Sequence, residues 1–166
     1  MGGFNAVRAV SGRIDIVKAV KVSVHPAEIR RVLLSAAAVP EIARLLKPPD
    51  WGLAMRITGD RELHRLNSRF LGEDHATDVL SFPSGDGKPH LGDIVISWPA
   101  TQRQAEEFGH PASTELALLS VHGLLHLLGL DHVGSREENE MNRLTVMALA
   151  ETGHRLPPGR LALADA

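Results

Sequence analysis

Three histidines with the spacing of metal ligands lie in one short, otherwise apolar stretch of the sequence. His122, His126 and His132 are separated by four and six residues, with Gly129 between the second and the third. Residues four apart lie on one face of a helix, so His122 and His126 can bind one ion together. Gly129 can adopt the left-handed conformation that ends helices, which would bring His132 back as a third ligand. Three imidazoles and one open position are typical of a catalytic zinc site that activates water.

Composition limits the other possibilities. The 166 residues include no cysteine, which excludes disulfides and thiolate ligands. A hydrophobic share of 43% and a charged share of 23% indicate a globular protein. We therefore predict a single domain over residues 1–166, with residues 1–12 and 153–166 peripheral or flexible. The net charge of −2 argues against a broad polyanion binder but allows a local basic groove. No apolar run has signal-peptide or membrane-spanning length, which predicts a cytoplasmic protein without a membrane partner.

The apolar periodicity predicts an α+β fold. Strands are expected at residues 13–24, 51–57, 77–83 and 91–97, the last in the sheet centre because its apolar run is continuous. Helices are expected at residues 28–46, with a break or second start at Pro40, and at residues 60–70, 100–108, 112–128 and 135–150. Asp60 is a candidate cap, and Ser135 and Glu138 fit a capping box. We predict a small mixed four-stranded sheet packed by about five helices, with a zincin-like metal-binding helix in the centre.

A basic stripe lies on the predicted helix at residues 60–70. Arg61, Arg65 and Arg69 recur every four residues, on a different face from the apolar side chains. Such a stripe is either a solvated face or a wall that contacts phosphates.

The residue after the first histidine bears on the reaction. In metzincin peptidases, which share this ligand spacing, a glutamate at that place acts as the general base, but here it is Gly123. We interpret Gly123 as a point of close approach by a strand. Asp131 could replace the base or could anchor the neighbouring ligand. Three neutral imidazoles leave the ion's charge uncompensated, so the site should attract anions such as a phosphodiester.

Three segments together resemble a known family. The stretch from His122 to His132 is similar to the H-G-x-L-H-L-x-G-[YF]-D-H signature of the YbeY metallo-endoribonucleases, and residues 77–83 and 91–96 resemble that family's other hallmark segments. The resemblance runs from about residue 56 to residue 147. It implies a single-strand-specific endoribonuclease in ribosomal RNA maturation, notably of the small-subunit RNA 3′ end, and in ribosome quality control. It also implies one ion, zinc or another divalent transition metal, on His122, His126 and His132.

The sequence departs from the family pattern beside these segments. Leu71 stands where many members have an arginine thought to act at the active site, and Ala76 replaces a proline. Either Arg69 reaches the same phosphate, or that role is unfilled. We predict Arg69 and Asp131 as catalytic residues, with attack by metal-activated water.

The predicted substrate contacts and partners complete this hypothesis. Arg61 and Arg65 are expected to bind the RNA, and the ribosomal small subunit is the expected partner. Two alternatives stay open. One is a zinc metallopeptidase. The other is a non-enzymatic, metal-containing ribosome-assembly factor, in which His75 or His110 would supply a fourth ligand.

Overall fold

The structure is a computed structural model, and it describes residues 12–85, 87–131 and 134–161. Its elements are β1 (Arg13–Lys18), α1 (Pro26–Ala38), α2 (Pro40–Ala43), β2 (Gly52–Thr58), α3 (Asp60–Leu71), β3 (Val79–Pro83), β4 (His90–Ser97), α4 (Trp98–Phe108), α5 (Ala112–Leu127) and α6 (Ser135–Ala150). The predicted α+β class is confirmed. The second start predicted at Pro40 is the one-turn helix α2, which brings the helices in the described residues to six.

The four strands form one mixed sheet in the order β1-β2-β4-β3. Strands β1, β2 and β4 run parallel, and β3 pairs antiparallel with β4. Strand β4 therefore lies inside the sheet, as its continuous apolar run predicted. Strand β3 lies at one edge, so one row of its backbone groups faces away from the sheet.

The two faces of the sheet carry different layers. Side chains alternate along a strand, and Ile94 and Ile96 of β4 point into the main core, which α1, α5 and α6 share. Val95 points to the other face, where it packs with Leu80 of β3 and Leu63 of α3 in a smaller cluster. The predicted metal-binding helix therefore packs on the core face, and α3 covers part of the opposite face.

Helix α5 is the most buried helix, as its apolar surface predicted. Its one buried carboxylate, Glu115, accepts hydrogen bonds from the guanidinium of Arg160, and its Oε2 lies 2.5 Å from His110 Nε2. These partners replace the water that a buried carboxylate loses. Through Arg160, the peripheral residues 153–161 are tied to the core. The organisation as one domain stays a prediction.

Two predicted caps are wrong. Gly59 is the N-cap of α3, and the carboxylate of Asp60 accepts hydrogen bonds from Arg103 (2.9 Å) and Ser97 Oγ (2.6 Å) instead. The guanidinium of Arg103 and then the Ser97 hydroxyl hold the pKa of Asp60 below its usual value. Helix α6 begins at Ser135 with no side-chain cap, because the N-cap position falls on the preceding glycine.

The first strand is shorter than predicted. Apolar residues recur at positions 14, 16, 20, 22 and 24, but strand pairing stops at Lys18, whose partner Ile57 is one residue from the end of β2. Val22 and Val24 are nevertheless buried, so the alternation reports burial rather than pairing. Among the described residues, no helix is both long and apolar enough to cross a membrane.

Helix α5 meets the sheet closely at Gly123. A Cβ atom placed there would lie 2.8 Å from Cγ2 of Ile94 and 3.1 Å from its Cδ1, closer than side chains normally approach. Ile94 is fully buried, so its side chain packs against the core and not against solvent. The interpretation of Gly123 as a point of close approach is confirmed.

Replacing Gly123 with alanine should lower the free energy of unfolding by about 1 kcal/mol. Overpacking costs about 1–3 kcal/mol, which exceeds the gain of about 1 kcal/mol that alanine has over glycine in a helix. In an Ile94→Ala background, which removes the contacting carbons, the same change should instead raise the free energy of unfolding. Urea unfolding of the unaltered protein, the two single variants and the double variant measures these free energies. If Gly123→Ala changed the free energy of unfolding equally with and without Ile94→Ala, this packing would be contradicted.

Candidate functional site

His122 and His126 open into a cleft of about 560 Å³ between α5, the edge strand β3 and the end of α3. Its lining residues are Leu71, Asp78, Val79, Leu80, Ser81, Pro83, His122, His126, Gly129, Leu130 and Asp131. Two of the three family-like segments, around β3 and at the end of α5, therefore form facing walls of one cleft.

The two imidazoles lie side by side, as their spacing of four predicted. Their ring centroids are 4.8 Å apart with an interplanar angle of 67°, and both side chains are half-buried. Imidazole nitrogens bind zinc at about 2.0–2.1 Å, so rings this close fit as two ligands of one ion. His132, the predicted third ligand, lies outside the described residues. Among those described, no three His, Asp or Glu side chains are grouped as a metal site requires.

The chain turns sharply at the end of α5. Gly129 has a φ of +93°, and its N–H donates to the carbonyl of His126 at 3.0 Å. The N–H of Leu130 donates to the carbonyl of Leu125, also at 3.0 Å, which completes a Schellman motif. The predicted left-handed glycine is confirmed. The turn brings Asp131 back to the cleft, where it is exposed.

Strand β3 is fixed to α5 across the cleft floor. The hydroxyl of Ser81 donates to the carbonyl of Gly123 at 3.2 Å. The close contact of Gly123 with Ile94 of the neighbouring strand holds the same stretch of helix. Contacts to the backbone of α5 at Gly123 therefore set the distance between the strand edge and the two imidazoles.

Asp78 is a cleft residue to which the sequence analysis assigned no role. Its Oδ1 accepts the N–H of Val79 at 2.8 Å, and its Oδ2 accepts from Gln104 Nε2 at 3.1 Å. Gln104 in turn accepts from Arg160, which pairs with the buried Glu115. The orientation of this carboxylate is thus fixed from the core of the protein. Asp78 could have been found from the sequence, because it lies at the start of a strand in a segment that resembles the family.

The arginines of α3 are not among the described cleft-lining residues. Arg65 lies 3.9 Å from Glu62, and the guanidinium of Arg69 lies 5.3 Å from the ring centre of Phe70. Arg61 is exposed on the same helix. Leu71, at the position where many family members have arginine, does line the cleft. The catalytic and substrate-binding roles of the three arginines stay predictions.

The two histidines considered as a fourth ligand do not line the cleft. His75 lies in the connection between α3 and β3, with its Nε2 3.4 Å from Glu73 Oε2. His110 precedes α5 and pairs with the buried Glu115. Neither arrangement favours a closed, four-ligand structural metal site.

A protein-family model and individual relatives of this chain carry the same family description. The protein-family model described as "Endoribonuclease YbeY" matches residues 18–153. Proteins named endoribonuclease YbeY match at 53% identity over 89 residues in Gloeobacter violaceus, at 58% over 76 residues in Solibacter usitatus, and at 37% over 130 residues in Alkaliphilus metalliredigens. These matches cover 48%, 46% and 74% of the chain, respectively.

The coverage of the relatives differs. The matched part of the chain spans about half the length of the first two proteins, 46% and 50%, but 84% of the third. The solution structure of TM1509 from Thermotoga maritima has the same fold, with a TM-score of 0.55 over 89% of this chain and 99% of that one. At 23% identity, this likeness supports the fold alone.

Replacing Gly129 with alanine should lower the free energy of unfolding by about 1–2 kcal/mol, because a side chain disfavours its positive φ. Gly109→Ala is the matched control. Gly109 also follows a helix, has a φ of +70°, and has open space around its Cβ position, as Gly129 does. Both variants should lose similar stability, but only Gly129→Ala should shift the NMR signals of His126 and Asp131. Equal shifts in both variants would contradict the link between this turn and the cleft.

Proposed function

Since the chain belongs to the endoribonuclease YbeY family, we propose that it is a metal-dependent endoribonuclease that cleaves single-stranded RNA. The observation that carries this proposal is the pair of half-buried imidazoles, His122 and His126, at the wall of an open cleft. The family match over residues 18–153 and the names of the relatives support the same activity.

The proposed cofactor is one zinc ion, or another divalent transition metal, held by His122, His126 and His132. Neutral imidazoles suit such ions, and the donor set contains no thiolate or carboxylate. When bound, the ion would act as a Lewis acid that polarises a phosphate oxygen and promotes deprotonation of water. The three ligands add no negative charge, so the cleft would favour an anionic substrate.

Two carboxylates of the cleft have different proposed roles. Asp131 is exposed and lies beside the third ligand, so it could orient that imidazole or accept the proton of the attacking water. In hydrolysis the water oxygen would form the new bond to phosphorus while the bond from phosphorus to the leaving ribose oxygen breaks, and that oxygen would take up a proton from solvent. Asp78, fixed by Val79 and Gln104, would accept a hydrogen bond from a ribose hydroxyl and orient the RNA.

A zinc peptidase is the less favoured alternative. In metzincins the residue after the first histidine carries the general base. Here that residue is Gly123, which carries no base, and even a Cβ atom at this position would come within 2.8 Å of Cγ2 of Ile94. Packing therefore disfavours a base at this position, and the relatives named above are endoribonucleases by name.

We propose that the RNA is ribosomal. The family resemblance points to maturation of the 3′ end of the small-subunit RNA and to ribosome quality control, with the ribosomal small subunit as partner. A purely structural metal in an assembly factor is less favoured, because neither His75 nor His110 lines the cleft.

His126→Ala should lower zinc affinity by about 100-fold or more, since loss of an outer hydrogen-bonding partner alone costs about 10–100-fold. Cleavage of a fluorescent single-stranded oligoribonucleotide should be lost with it. The matched control, His75→Ala, removes an exposed imidazole outside the cleft and should change neither quantity. Zinc content by mass spectrometry and cleavage rates on single- and double-stranded RNA provide the measurements.

Two results would contradict the proposal. One is RNA cleavage that persists at the normal rate in His126→Ala. The other is chelator-sensitive cleavage of an unstructured protein while RNA stays intact, which would establish the peptidase instead.

A further inference from the structure

A second depression adjoins the cleft at His126. It has a volume of about 260 Å³ and shares Pro83, His126 and Gly129 with the cleft. His126 therefore borders both spaces. A chain lying in this depression would lead directly to the candidate metal ligands.

Three exposed cations line this depression, which we call the basic groove: Arg44, Lys47 and Lys88. They come from two separate parts of the chain, the end of α2 with the residues after it and the connection between β3 and β4. No Asp or Glu is among its described lining residues, and the neighbouring Asp86 lies outside the described ranges. The groove thus concentrates positive charge on a chain whose net charge is −2.

The three cations are available to an anion. Within the described residues, none of them forms a salt bridge. The longer-range effect of Arg44 is small: the pKa of Glu41 is lowered first by its hydrogen bond to Arg143, and Arg44 is the least of the causes. Like charges on one surface repel one another, and a polyanion relieves that repulsion.

The α3 stripe offers a weaker anion site. Glu62 lies beside Arg65, and Arg69 rests against the ring of Phe70. These arginines also lie outside the cleft lining, whereas the basic groove shares three lining residues with the cleft. Charge and position therefore both favour the groove as the path of a bound backbone.

We propose that Arg44, Lys47 and Lys88 bind successive phosphates of the single-stranded RNA and direct the strand into the cleft. The inference rests on the proposed function and adds the path of the substrate. The exposed side chain of Leu45, which also lines the groove, provides apolar surface for ribose and base contacts. Because the contacts are to phosphates, the groove would bind RNA without selecting its sequence.

The salt dependence of RNA binding tests this inference directly. For single-stranded nucleic acid, the slope of log K against log salt changes by about 0.7 for each phosphate contact. The triple variant R44A/K47A/K88A should therefore reduce the slope by about 2. The probe is a fluorescent oligouridylate, followed by anisotropy between about 50 and 200 mM salt before measurable cleavage occurs.

The matched control is R13A/K21A/R155A, which removes three exposed positive charges that line neither the cleft nor the basic groove, and its slope should stay near that of the unaltered protein. A third variant, R61A/R65A/R69A, tests the RNA contacts predicted for the α3 stripe and should lose less slope than the groove variant. All nine positions are exposed, so the three variants should keep their fold and zinc content, which circular dichroism and mass spectrometry check.

The outcomes separate this inference from the proposed function. An unchanged slope in R44A/K47A/K88A, with normal RNA binding by the unaltered protein, would overturn the groove alone. If the slope of log K against log salt fell only in the α3 variant, the α3 stripe and not the basic groove would bind the RNA. If the groove variant lost affinity for polyglutamate but not for RNA, an acidic protein would be the ligand. Failure of the unaltered protein to bind any single-stranded RNA would overturn the proposed function as well.

Discussion

The close packing of α5 on the sheet is the constraint on which the site depends. Gly123 lets the backbone of the helix approach Ile94, and Ser81 ties the edge strand to the carbonyl of the same glycine. These contacts place His122 and His126, one residue before Gly123 and three after it, beside the free edge of β3. Glycine at position 123 therefore has two consequences: it leaves the site without the base of a peptidase, and it lets the helix pack close enough to set the width of the cleft.

A second set of interactions fixes the polar wall of the cleft. Glu115 is buried two turns before His122 on the same helix, and its charge is compensated by Arg160. Gln104 connects this pair to Asp78 at the cleft. A carboxylate held in this way needs little reorganisation when a substrate arrives, which is the usual advantage of a preorganised site. The peripheral C-terminal segment thereby contributes to the shape of the cleft.

Much of the fold could be predicted from the sequence because local periodicity matched tertiary burial. The apolar run of β4 and the apolar surface of α5 predicted the central strand and the central helix. The ends were less predictable: Val22 and Val24 continue the strand pattern, yet β1 ends at Lys18, since pairing depends on a partner distant in the chain. Likewise, Asp60 looked like a cap but bonds to Ser97 and Arg103, residues that only the fold brings near.

In the candidate site, too, local features could be predicted and features assembled from distant segments could not. The spacing of His122 and His126 was sufficient to predict that they lie side by side, because both are on one helix. The regular stripe of Arg61, Arg65 and Arg69 was conspicuous in the sequence, although the described cleft does not include it. Arg44, Lys47 and Lys88 gave no pattern, since about forty residues separate Lys88 from the other two and only the folded chain brings them to one surface. Local spacing predicts ligands on one element, whereas a surface assembled from several segments requires the fold.

We propose an open, three-histidine metal site that meets an RNA phosphate. The most direct test is the anomalous diffraction of zinc in crystals of the zinc-loaded protein with a single-stranded RNA fragment. We expect one zinc ion on His122, His126 and His132, with a phosphate or water oxygen in the fourth position. A fourth protein ligand, or zinc bound away from these histidines, would contradict the account.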